Sequence, residues 1–144
     1  MMMKHHIIQF IIMTIVGILF NPMNMLAYRF NDLYLSLTLF YGGLLMASNM
    51  IWSHELVHYF SMGHFNSKIF IIGIILSGIS VLLLRSQLLV NDKEWLKRMI
   101  SHHSTALTTT HKINKNTKNE KIKKLSNDII KTQEEEITQM KSLL

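Results

Sequence analysis

The chain has 144 residues, 49% of them hydrophobic and 17% charged, and it contains no cysteine. Disulfides, thiolate zinc sites and thiol catalysis are therefore excluded, and any metal would depend on His, Met and carboxylates. The formal charge of +6 resembles a nucleic-acid signal. However, 12 of the 15 Lys and Arg lie from Arg85 onward, with no interleaved aromatics and no nucleic-acid motif, so nucleic acid is not an expected partner. Attraction to anionic lipid head groups accounts for the same charge, because the basic half adjoins an apolar one.

Residues 1–90 read as a membrane domain. Apolar segments at about 7–28, 33–52 and 69–90 each approach the roughly 20 helical residues that a bilayer core of about 30 Å requires. The first is interrupted by "NPMN" at residues 21–24, where Pro22 lacks an amide donor and disfavours helix before it, so a kink or early exit is expected. A cleaved signal sequence is the alternative for this segment, although no small-x-small cleavage site follows it. Gly43 with Ala47 and Gly73 with Ser77 are small residues four apart, which allows helix backbones to approach closely in lipid. Arg85 can snorkel to the interface at the end of the third segment.

From residue 91 the pattern becomes amphipathic. Asp92 is the expected N-cap of a helix whose apolar stripe includes Trp95, Leu96, Met99, Ile100, Ala106 and Leu107. The polar stretch "KINKNTKNE", residues 112–120, reads as a loop, with the turn near Lys115. A second helix then carries Ile122, Leu125, Ile129, Ile130, Ile137, Met140 and Leu143 on one side. The fold class is therefore all-α: three transmembrane helices followed by an antiparallel helical hairpin over residues 91–144. About 50 residues make too small a core alone, so the hairpin is expected to pack against a second hairpin or the membrane domain. Lys93, Lys97 and Arg98 concentrate positive charge beside the last span, which orients the hairpin toward the cytoplasm.

The segments "DKEWLKRMISHHSTAL", residues 92–107, and "LSNDIIKTQEEEITQM", residues 125–140, resemble the domain of unknown function 305 family in the order of Asp92, Met99, Ile100, His102, His103, Ala106, Leu125, Ile129, Ile130, Gln133, Glu136, Ile137 and Met140. The preceding Arg85-Ser86-Gln87 and the Met-bearing "LLMASNM" at 44–50 resemble the form in which several spans precede one hairpin. The resemblance implies a ferritin-like half bundle and binding of copper or another metal through His and Met. Ser101 replaces the family's usual Pro, and Thr109 stands where a Met is expected, so one soft ligand is missing.

Two constellations are candidate metal sites. In the hairpin these are His102, His103, Met99, Glu136 and Met140. Neighbouring His residues project about 100° apart on a helix, so only one of the pair can join Met99 at a single ion. With the turn near Lys115, Glu136 falls level with Trp95 and away from His103. Both reach one site only through an antiparallel partner, which leads to an expected homodimer with a four-helix bundle. The alternative for these polar residues is a satisfied layer that fixes helix pairing.

The second constellation, Met50, His54, His58 and Met62, recurs every four residues at the end of the second segment. Thioether and imidazole suit copper, with zinc as the alternative ion; packing Met and interfacial His are the structural alternative. His54-Glu55-Leu56-Val57-His58 also matches the HExxH pattern of zinc proteases. No third ligand in a zincin context accompanies it, since His64 follows six residues on and Asp92 lies across the expected membrane. A protease ranks last. A small membrane protein, leaning to no enzymatic activity and binding copper for transport, buffering or sensing, ranks first, and a metal-free structural or assembly protein is its competitor.

Overall fold

The computed structural model describes the backbone of residues 2–144 and the side chains from Lys4 onward. All regular structure among these residues is helical: α1 (Met2–Leu19), α2 (Pro22–Met25), a 3-10 turn (Phe30–Asp32), α3 (Leu37–Met62), α4 (Ser67–Ser86), α5 (Asp92–Asn116) and α6 (Glu120–Ser142). They form two compact units, one comprising residues 1–20 and 37–89 and the other residues 21–36 and 90–144.

In the first unit α3 packs against both α1 and α4. Glycines set the approach. A Cβ on Gly73 of α4 would lie 2.8 Å from the backbone nitrogen of Trp52, and one on Gly43 of α3 would lie 2.9 Å from the Thr14 carbonyl of α1. Ala47 is fully buried, and Ser77 Oγ donates to Asn49 Oδ1 across the α3–α4 contact at 2.9 Å. Helix α3 ends at Gly63, whose φ of +66° is the left-handed conformation that glycine adopts without a Cβ penalty. Asn66 then caps α4 by accepting from the Ile69 amide at 3.3 Å.

Against the three expected spans, two helices among the described residues are long and apolar enough to cross a membrane, Lys4–Met25 and Ser67–Ser86. The middle segment does not qualify by composition. Its helix runs on to Met62 and carries Ser48, Asn49, Ser53, His54, Glu55 and His58. As expected from "NPMN", α1 stops at Leu19; Asn21 caps the short α2 and Pro22 occupies its first turn, where a missing amide costs nothing.

The second unit is an antiparallel α5–α6 hairpin, as shown by pairings such as Asn114 Nδ2 donating to Ser126 Oγ at 2.7 Å. Leu96, Ile100, Leu107, Ile137 and Met140 form its core, with Tyr34, Met99 and Ile130 packed around them. Two local expectations need correction. Asn91, one residue before Asp92, is the N-cap, accepting from the Glu94 amide at 3.0 Å. The expected 112–120 loop is also mostly helix: α5 continues to Asn116, and Asn119 caps α6 by accepting from Lys121 at 2.9 Å, leaving residues 117–119 between the helices.

Residues 21–36 contribute to this unit as a strap over α5. Ser104 Oγ accepts from the Tyr28 amide at 2.9 Å and donates to Asp32 Oδ2 at 2.7 Å, while Ser101 Oγ donates to the Asp32 carbonyl at 2.8 Å. Ser101, where the related pattern has Pro, thus supplies a hydroxyl that holds the strap. Lys141 of α6 closes the arrangement with an ion pair to Asp32, which is wholly buried.

Candidate functional site

Helices α1 and α3 and the α3–α4 loop surround a cavity of about 420 Å³ lined by His5, His6, His54, Glu55, His58 and His64. Five of the chain's eight histidines therefore meet in one place. The four-residue spacing puts His54 and His58 on one face of α3, with ring centroids 4.2 Å apart. His6 of α1 faces His54 at 6.2 Å, and His5 lies 5.8 Å from His6.

Glu55 is buried, and both its oxygens are directed. Oε2 accepts from the Asn66 amide at 3.0 Å, clasping the loop that carries His64, and Oε1 lies 3.9 Å from His6 Nε2. Held in this way, the HExxH glutamate ties the end of α3 to the loop that follows it. On the other side of the rings, His6 Nδ1 and His54 Nδ1 are buried without hydrogen-bond partners. Among the described residues, no three His, Asp or Glu side chains are already arranged to hold a metal ion.

Met50 and Met62, expected beside His54 and His58, do not line this cavity; both are exposed. The cavity is completed instead by His5, His6 and His64, none of which the sequence pattern marks as a ligand. A usable signal was present: these residues and His54/His58 mark the start of the first apolar segment, the end of the second and the approach to the third. An up-down-up helix order brings those three points to one end.

The hairpin candidates separate. His102 is exposed, Met140 belongs to the apolar core and Met99 packs against that core. Only His103 and Glu136 meet, with Nδ1 3.1 Å from Oε2 but not aligned as a hydrogen bond. Because the turn lies at residues 117–119 instead of near Lys115, these two residues reach each other within one hairpin. This removes the geometric reason for which a partner hairpin was expected.

Burial pushes the His103 imidazole below its ordinary value, outweighing the opposite pull of the Glu136 carboxylate. The folded state thus binds this proton less tightly than the unfolded chain, whose ordinary value is 6.5. Stability from this residue is complete above that pH and is lost as pH falls below it and through the lower folded-state value. The protection of α5 amides, taken relative to their intrinsic exchange rate at each pH, is expected to fall below about pH 6.5, and His103→Gln to flatten that dependence. An unchanged pH profile in the variant would assign the effect elsewhere.

Residues 83–144 match the family described as "Domain of unknown function (DUF305)". The chain is also 36% identical over 138 residues to the "Uncharacterized protein L153" of Acanthamoeba polyphaga mimivirus, covering 96% of this chain and 90% of that protein. No solved structure matches it. The α5–α6 hairpin therefore has a recognised sequence class, whereas the histidine cavity lies outside residues 83–144. By the extent of its match to the mimivirus protein, this chain belongs to the family of that viral protein, and its own residues 83–144 carry the DUF305 match.

Proposed function

We propose that the chain is a multi-pass membrane protein that binds a transition metal in the α1–α3 cavity, serving transport, buffering or sensing of that metal. The observation that carries this reading is the convergence of five histidines on one cavity. Imidazole is a good ligand for zinc and copper, and two buried ring nitrogens there lack other partners.

In this reading α3 crosses the membrane between α1 and α4. Its polar side chains are compatible with that position because neighbouring groups satisfy them. Ser48 Oγ donates to the Leu44 carbonyl at 2.6 Å, and Asn49 accepts from Ser77 and, at 3.1 Å, from Trp52 Nε1. In the same reading the basic residues of α5 favour the cytoplasmic side for the hairpin.

Metal content measured by mass spectrometry on the detergent-purified chain tests the proposal. Wild type and His103→Ala are expected to retain copper or zinc, and His54→Ala/His58→Ala to lose it. A wild type that takes up neither ion would leave the structural or assembly reading in its place.

A further inference from the structure

We infer that the ion in this cavity is a borderline divalent cation of the Zn²⁺ or Cu²⁺ kind, held by His6 together with His54 and His58, and that it staples α1 to α3. The inference rests on the metal-binding reading above and adds the ligand from α1 and the class of ion.

His54 and His58 alone give two donors from one helix, whereas a stable site with an open position requires three protein ligands. The third must come from another element. His6 has the arrangement that such a ligand needs. Its Nε2 faces the buried Glu55 carboxylate at 3.9 Å, while Nδ1 is buried and unpartnered. A carboxylate near one ring nitrogen favours a proton there and leaves the other nitrogen available to coordinate; the 3.9 Å separation here would have to shorten to a hydrogen bond to fix that orientation. His5 and His64 line the same cavity but are exposed, with no such backing.

The three rings are separated by 4.2 Å and 6.2 Å between successive centroids, and they do not yet surround a single point. Closing them onto an ion requires the histidine side chains to change χ1 as well as χ2, which moves the ring centres as well as turning the rings. Glu55 meanwhile keeps its bond to the Asn66 amide, so loading the ion need not release the loop.

The described donor set points to the ion. Cu⁺ selects thioether and thiolate, but the chain has no cysteine, and among the described residues no Met side chain lines the cavity. Imidazole nitrogens with a carboxylate behind them suit Zn²⁺ and Cu²⁺.

The experiment uses the full chain in detergent, stripped with a chelator and titrated separately with Zn²⁺ and, under reducing conditions, with Cu⁺. Zn²⁺ is expected to bind at one equivalent, at least tenfold more weakly in His6→Gln and unchanged in Met50→Leu/Met62→Leu. Zn²⁺ should also slow hydrogen exchange at the His6 end of α1 in wild type but not in His6→Gln. Matching exchange of the two metal-free proteins establishes that the variant is folded; if it is not, His6→Asn serves in its place. Equal Zn²⁺ affinity in wild type and the His6 variant would overturn the staple. Binding of Cu⁺ alone, abolished in the Met variant, would overturn the ion class while leaving metal binding intact. Binding of neither ion would remove both readings.

Discussion

Replacing Lys141 with Met is expected to destabilise the hairpin unit by about 3 kcal/mol, the lower end of the cost of leaving a buried charge without its partner. Asp32 has no solvent exposure, and its carboxylate has two side-chain partners, Ser104 Oγ and Lys141 Nζ. Without Lys141 the carboxylate keeps one hydroxyl and no counter-charge. The opposite truncation is milder. In Asp32→Asn the Ser104 bond can persist, and Lys141, with its side chain 32% exposed, can turn to water. The double variant Asp32→Asn/Lys141→Met should recover most of the loss, because no unpaired charge remains. Amide exchange of α5 and α6 in the purified chain measures all three. A Lys141→Met protein within about 0.5 kcal/mol of wild type would show that this ion pair is not what holds the strap.

None of this was legible in the sequence. Asp32 is followed by Leu33 at the start of an apolar segment, and no periodicity links it to a lysine 109 residues away. Local signals served better: Pro22 stopped α1, and the three-and-four spacing of Leu96, Ile100 and Leu107 identified the face of α5 that forms the core. Errors arose where two local rules competed. Asn91 and Asp92 are both good caps, and the chain uses the first. The polar 112–120 stretch has low helix propensity at its asparagines, yet Asn114 is held in α5 by its bonds to Ser126 and Asn127 of α6. That override lengthened α5, moved the turn and brought Glu136 to His103. The histidine cavity was half legible. The spacing of His54 and His58 gave one wall, but the other depends on α1 returning alongside α3, which is a tertiary fact. Met50 and Met62 misled because a four-residue stripe drifts round a helix, and neither reaches the cavity.

A second large effect is expected at Ile100. This residue is wholly buried at the centre of the cluster formed with Leu96, Leu107, Ile137 and Met140. Ile100→Ala removes three carbons from a site walled by α5 and α6, and a loss of about 2–5 kcal/mol follows from lost transfer energy plus the residual cavity. A unit of this size has little stability to spare, so the variant should show near-global exchange across both helices. Ile113 on the same helix supplies the control, being 48% exposed. Its truncation to Ala should cost less than about 1 kcal/mol, since little apolar area returns to water. The contrast between two isoleucines of one helix separates lost packing from changed helix propensity, which is the same for both substitutions. Equal losses at the two positions would mean that the exposed face of α5 is covered when the hairpin is in its working state, and the partner that covers Ile113 would then be sought by cross-linking from that position.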